Sequence, residues 1–169
     1  MNIEVVPASI NDKSVLRQMM EFYLYDFSEF ADTDLNEHGY FDYSHLDHYW
    51  VESNRHPFLV RVDSKLAGFA LVHQNTYFSD SEYMLSEFFI LRKYRKKGIG
   101  RKVAFYIFDS YCGVWEIYQP HINIVAKKFW RNIIEAYTAG RYTETVMEDG
   151  GWAGIMRRFD NSNNSNLST

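Results

Sequence analysis

From residue 92 to residue 102 the chain reads Arg-Lys-Tyr-Arg-Lys-Lys-Gly-Ile-Gly-Arg-Lys. Seven of these eleven residues are Lys or Arg, and Gly98 and Gly100 sit at the centre of the run. Glycine tolerates positive φ and lets a backbone approach a ligand closely. The first N–H groups of a helix lack internal partners, and the helix dipole puts partial positive charge beside them. A basic glycine turn that opens a helix is therefore built to take an anion, and a diphosphate satisfies both features at once. Just upstream, Glu87 is a carboxylate suited to proton transfer. Downstream, Asn123-x-x-Ala126-x-x-Phe129-Trp130 heads a second helical stretch. His45 and His48, at i and i+3, could share a helix face, but no third ligand accompanies them, and no metal is expected.

These residues need particular elements to hold them. Phe88-Phe89-Ile90-Leu91 is an unbroken apolar run of the kind that forms a strand covered on both faces. Val103, Ala104, Ile107, Phe108 and Tyr111 then repeat at helical spacing, and Gly113 supplies a stop. The glycine turn thus joins a strand over 83–91 to a helix. Upstream, residues 3–6 read as a strand ended by Pro7, and Ser9 or Asn11 can cap a helix over 12–30. In that helix Leu16, Met19, Met20, Tyr23, Leu24 and Phe27 form one stripe. Residues 58–62 and 66–72 form a hairpin over the polar turn Asp63-Ser64-Lys65. Three successive antiparallel strands therefore feed the glycine turn.

After the central helix come a strand over 114–118, a helix over 125–139 ended by Gly140, and strands over 142–146 and 152–159. Residues 32–39 form an acidic loop, and residues 40–50 are rich in aromatics and His, with a short helix from Ser44. The Asn/Ser-rich segment 161–169 is expected to be a disordered polar tail after one domain over 1–160. The fold class is α+β (α/β/α). It has a mixed, mostly antiparallel sheet of six to seven strands, one parallel pair and helices on both faces. The strands on either side of the central helix are the parallel pair, since a helical crossover joins them.

Composition narrows the function. A hydrophobic content of 46% and an aromatic content of 18% supply a real core and exclude a disordered chain. The net charge of −4 argues against a general nucleic-acid binder, so the local basic run favours a specific small anion. The single Cys112 permits no internal disulfide and no cysteine metal site. No apolar run approaches the roughly 18 residues needed to span a bilayer, and no signal peptide is visible, which reads as cytoplasmic.

The Arg-x-x-Gly-x-Gly pattern of Arg95, Gly98 and Gly100 after an apolar strand resembles the acetyl-CoA-binding motif of the GNAT superfamily of N-acetyltransferases. Asn123-x-x-Ala126-x-x-Phe129-Trp130 is similar to that superfamily's second cofactor motif, and the order of elements agrees from Ile3 to Phe159. The resemblance implies that the parallel strands splay apart, helped by a β-bulge, so that pantetheine enters as a pseudo-strand. It further implies that Phe89, Ile90 and Leu91 offer main-chain groups to the pantetheine and thioester. Arg95, Lys96, Lys97, Gly98, Ile99, Gly100 and Arg101 would hold the diphosphate. Asn123 would contact the pantetheine arm, with Ala126, Phe129 and Trp130 beside it.

The same resemblance makes Glu87 the candidate general base, at a position where family members often carry an acid. The general acid is less direct. Many members place Tyr seven residues after the motif Asn; here that residue is Trp130, whose indole N–H donates but does not release a proton. Tyr137, two turns on along the same face, is the candidate acid, with Tyr118 or a water as alternatives. The implied reaction is acetyl transfer from acetyl-CoA to an amine of a small molecule or peptide. A sensor of the same fold that binds CoA or acyl-CoA without turnover is the alternative. The acidic loop and the aromatics after it point to a cationic amine. No nucleic acid or membrane partner is expected, and dimers are frequent in the superfamily, so a homodimer is compatible.

Overall fold

The computed structural model describes residues 1–148 and 153–163. The elements run β1 (Ile3–Pro7), α1 (Lys13–Phe27), β2 (Arg55–Val62), β3 (Lys65–His73), β4 (Tyr83–Ile90), α2 (Ile99–Asp109), β5 (Val114–Pro120), α3 (Ile124–Thr138), β6 (Thr143–Met147) and β7 (Gly154–Asp160). The seven strands form one mixed sheet in the order β1-β2-β3-β4-β5-β7-β6, with β4 and β5 parallel. This is the α+β class that the strand and helix order predicts. Among the described residues no helix is long and apolar enough to cross a membrane. The chain divides into two compact units, residues 1–71 with 87–95 and residues 72–86 with 96–169.

In the first unit β1 pairs antiparallel with β2, from Ile3↔Val62 to Pro7↔Phe58. The turn between β2 and β3 is tighter than the three residues expected. Asp63 and Ser64 both take positive φ, 48° and 63°, as a two-residue type I′ turn requires; Lys65 already belongs to β3. α1 follows a 3-10 turn at Ile10–Asp12, where the Ser9 N–H and hydroxyl both donate to Asp12 Oδ2, at 2.9 and 2.7 Å. It ends at Phe27, shorter than the expected 12–30. Leu16, Met19 and Met20 are buried with Leu46, Tyr49, Leu59, Phe69, Leu71 and Phe89. The helix expected from Ser44 is a 3-10 turn over Leu46–Trp50. β3 and β4 approach so closely at Gly68 that a Cβ there would lie 2.2 Å from the Phe89 carbonyl oxygen.

In the second unit β7 lies between β5 and β6, antiparallel to both. Trp115 on β5 and Phe159 on β7 are register partners and stack at 6.5 Å, and Phe108 from α2 meets them edge-on at 5.1 and 4.9 Å. α3 ends at Thr138, one residue short of the expected 125–139, because Ala139 already turns left-handed at φ 51°. The strand expected over 152–159 is β7, Gly154–Asp160; Trp152 and most of the loop at 148–151 lie outside the described residues, as do residues 164–169 of the expected tail.

Asn161, which composition puts at the head of that tail, is only 3% exposed. Its Oδ1 accepts from the Gly113 N–H at 2.8 Å, and its Nδ2 donates to the Phe108 carbonyl at 2.8 Å and the Tyr111 carbonyl at 3.2 Å. The amide thus ties together main-chain groups at and just beyond the end of α2. Replacing Asn161 by Ala removes the acceptor of the buried Gly113 N–H and the donor shared by the two carbonyls. The expected loss is about 2 to 4 kcal/mol of unfolding free energy, read from urea melts, whereas a solvated tail residue would cost almost nothing.

Candidate active site

In the first unit the chemistry centres on β4. Strand alternation puts Glu87 and Phe89 on one face. Tyr23, on α1, meets the Phe89 ring at 5.9 Å and the Phe69 ring at 5.9 Å, both edge-on. The Tyr43 hydroxyl donates to Glu87 Oε1 at 3.0 Å, and Tyr23 lies close enough to act on the same carboxylate. Burial raises the Glu87 carboxyl above its ordinary range, and the two phenols oppose that rise by favouring the charged form. Burial, with the charge of Glu87, pushes both phenols far up, so they act as donors and not as acids.

The end of β4 is tied down by main-chain and guanidinium bonds. The Leu91 N–H donates to the Ala67 carbonyl at 2.8 Å. Arg95 Nε donates to the Ile90 carbonyl at 2.7 Å, and its guanidinium lies 5.5 Å over the Phe89 ring. Asp26, near the end of α1, receives Arg95 at 2.5 Å on Oδ2 and Arg92 at 3.1 and 2.7 Å on Oδ1. Burial would raise the Asp26 carboxyl; the hydrogen bonds and charges of Arg95 and Arg92 outweigh it and hold the group below the ordinary aspartate range.

In the second unit the glycine turn has the geometry its sequence requires. Lys96 has φ 60° and Gly98 φ 75°, and Gly98 is the N-cap from which α2 starts at Ile99. A Cβ at Gly98 would meet nothing within 4 Å, so glycine is needed there for its left-handed backbone and not for space. Lys96 and Lys97 are exposed beside it, Ile99 is buried, and the helix continues through Gly100 and Arg101. Asn123 is the N-cap of α3: its Oδ1 accepts from the Ala126 N–H at 2.9 Å. Phe129 packs edge-on to Trp130 at 5.0 Å, and Trp130 is buried against Phe108. The Tyr137 hydroxyl donates to Asp109 Oδ1 at 2.7 Å and accepts from Asn161 Nδ2 at 3.3 Å, and its ring lies against Phe105, Phe108 and Phe159. The parallel ladder of β4 with β5 comprises Tyr83↔Trp115 and Met84↔Glu116.

The structure therefore brings Glu87, Phe89, Ile90, Leu91 and Arg95 together in one unit, and sets Lys96 to Arg101 and Asn123 to Trp130 at two helix starts in the other. The tyrosine pair on Glu87 is what the sequence conceals. Tyr23 and Tyr43 read as aromatic wall and lid, and no spacing rule connects them to a strand residue more than forty positions on. Asp26 is equally silent as a partner of Arg92 and Arg95. His45 and His48 hold ring contact at 5.9 Å, with His48 Nδ1 beside Glu52 Oε1; among the described residues no three His, Cys, Asp or Glu side chains gather as a metal set.

A family model described as Acetyltransferase (GNAT) family matches residues 16–132. None of the curated proteins compared with the chain matches it in sequence. Solved structures do match in fold. An acetyltransferase from Thermus thermophilus superposes with a TM-score of 0.68 at 16% identity, covering 95% of this chain and 97% of its own. A PaiA N-acetyltransferase from Thermoplasma acidophilum, in complex with coenzyme A, gives 0.64 at 14% identity, covering 95% and 99%. An aminoglycoside acetyltransferase, meta-AAC0020, from an uncultured soil metagenomic sample gives 0.60 at 16%, covering 88% and 94%.

The Asp26 pairs make stability depend on pH in a definite direction. A carboxyl held below its unfolded value stabilises the fold above that value and ceases to do so as pH falls through the lowered one. Asp26→Asn should cost about 1 to 2 kcal/mol in urea melts at neutral pH. The gap between variant and parent should close as the pH drops below the ordinary aspartate value of 3.8.

Proposed function

The chain belongs to the acetyltransferase (GNAT) family, and from that premise we propose that it transfers an acetyl group from acetyl-CoA to the amine of a cationic acceptor. The observation that carries the reading is Glu87: a half-buried carboxylate, raised above its ordinary range, that accepts a hydrogen bond from the Tyr43 phenol with Tyr23 beside it. A group so placed accepts a proton from an amine nucleophile, directly or through one water.

The residues present fit the cofactor. The left-handed Gly98 cap leaves open space where a side chain would stand, Lys96 and Lys97 are exposed, and the first N–H groups of α2 have no intrahelical partner. These groups, with Arg101, would hold the diphosphate. The Leu91 N–H and the Ile90 carbonyl are engaged within the protein, and the Phe89 carbonyl faces Gly68 on β3; the Ile90 N–H is the β4 group that would be left for the cofactor. Asn123 Oδ1 is spent on its helix, so its Nδ2 is the atom that would donate to that arm; Ala126, Phe129 and Trp130 follow it on α3. When bound, acetyl-CoA supplies the acetyl group as an activated thioester. Glu87 takes the amine proton at a carboxylate oxygen while Tyr23 and Tyr43 keep their own. The Tyr137 hydroxyl is held by Asp109 and Asn161, which favours Tyr118 or a water as the proton source for the leaving thiolate.

Charge supports a cationic acceptor. From residue 18 to residue 54 the chain carries nine Asp or Glu and no Lys or Arg. Several of these acids are already paired, Asp26, Asp47 and Glu52 among them. The segment nonetheless surrounds Tyr23 and Tyr43 with negative charge and aromatic faces, both of which attract ammonium groups.

The test is thiol release from acetyl-CoA with polyamines, aminoglycosides and peptide N-termini as acceptors. With a working acceptor, kcat/KM should rise with pH through an acid limb above the ordinary glutamate value of 4.5, because only the deprotonated base is active. Glu87→Gln should remove that limb and lower kcat by about 100-fold or more. Coenzyme A binding with no acetyl transfer to any amine would instead favour a sensor.

A further inference from the structure

Two elements bring a phenol to Glu87, and one of them donates a hydrogen bond to it, the Tyr43 hydroxyl to Oε1 at 3.0 Å. Tyr23 comes from α1, its ring locked edge-on between Phe69 and Phe89. Tyr43 comes from the segment before the 3-10 turn, and that segment is itself fixed. The Phe41 and Asp42 N–H groups donate to the Glu21 carboxylate at 2.8 and 3.3 Å, Asp42 turns left-handed at φ 59°, and the Leu46 N–H donates to the Tyr43 carbonyl at 3.3 Å. Both hydroxyls are thus placed before any substrate arrives. Packing alone would be satisfied by phenylalanine in the same two positions. The Tyr43 hydroxyl adds a directed hydrogen bond to the carboxylate, and the Tyr23 hydroxyl adds a dipole that favours its charged form.

Resting on the reading of Glu87 as the base, we propose that Tyr23 and Tyr43 are positioning residues. The Tyr43 hydrogen bond fixes the orientation of the Glu87 carboxylate, Tyr23 beside it favours the proton-accepting form, and the remaining lone pairs are left to take the acceptor's proton. A carboxylate has about four lone-pair sites, and the Tyr43 bond fills one of them. The groups that act on Glu87 are few: α1 contributes Tyr23, and the segment before Leu46 contributes Tyr43. Tyr49 and Arg55 act on Tyr43, at one remove from the carboxylate. No Lys, Arg or His is a direct partner of Glu87 among the described residues, so the phenols are what oppose its burial.

The arrangement also divides the labour. Tyr23 and Tyr43 donate and do not titrate in the working range, so Glu87 alone changes charge. A proton taken by Glu87 does not pass on through either ring.

The experiment uses the full chain labelled at the glutamate carboxyl carbons. NMR titration of the Glu87 signal, assigned by its loss in Glu87→Gln, is compared for the parent, Tyr23→Phe, Tyr43→Phe and the double variant. Each single variant keeps its ring and should raise the Glu87 titration by about one pH unit, and the double variant by more. The acid limb of kcat/KM, measured with whichever amine of the panel is turned over, should climb by the same amount. Tyr25→Phe, on the same helix but 67% exposed, serves as the control and should move neither. A Glu87 signal that titrates identically in parent and variants overturns the proposal even where Glu87→Gln has abolished the acid limb, and the base assignment then survives alone. A carboxyl titration that moves without the kinetic limb overturns it too, since the hydroxyls would then serve packing only. An acid limb that persists in Glu87→Gln removes the base assignment and this proposal together.

Discussion

The end of β4 has to have its main-chain groups satisfied, and much of the first unit is arranged to do that. Gly68 lets β3 come close enough to Phe89 that no side chain could stand between them. The Leu91 N–H is then taken by the Ala67 carbonyl, and the Ile90 carbonyl by Arg95 Nε. Arg95 is held in turn by Asp26 from α1. A buried main-chain group left open would cost as much as a lost hydrogen bond, so this chain of contacts fixes where β4 ends and where the basic turn begins. Glu87, upstream on the same strand, inherits its position from that anchorage.

Two carboxylates on the sheet, Glu116 and Glu87, are held by different kinds of partner. Glu116 on β5 is fully buried and accepts the N–H groups of Tyr77 and Phe78 at 2.7 and 2.8 Å, one on each oxygen. Both partners are main chain, and the acid serves to hold the loop before β4. Glu87 is bonded by the Tyr43 side-chain hydroxyl, and its burial works against its charge.

Charge is distributed with similar economy along the basic run. Arg92 and Arg95 face Asp26 and are occupied. Arg101 lies 5.1 Å over the Phe105 ring. Lys96 and Lys97, next to the left-handed Gly98, stand exposed where α2 begins. A run of seven cations that looks uniform in sequence is thus split by the fold between paired arginines and exposed lysines.

The sequence by itself determined the frame. Hydrophobic periodicity located β4, α2 and α3 because the apolar runs at 88–91, 103–111 and 126–137 obey local geometry that needs no distant partner. Glycine at 98 predicted a left-handed start to α2, since few other residues sit there without strain. Element ends were less legible: α1 stops at Phe27 and the β2–β3 turn uses two residues, outcomes set by hydrogen-bond closure and not by composition. Only the tertiary structure decided the surroundings of Glu87. Tyr23 and Tyr43 on Glu87, Asp26 on Arg92 and Arg95, and the burial of Asn161 inside an apparent polar tail all join residues far apart in the chain. Desolvation and hydrogen bonding act through space, so the ionisation of Glu87 follows from those contacts and could not be read from its neighbours in sequence.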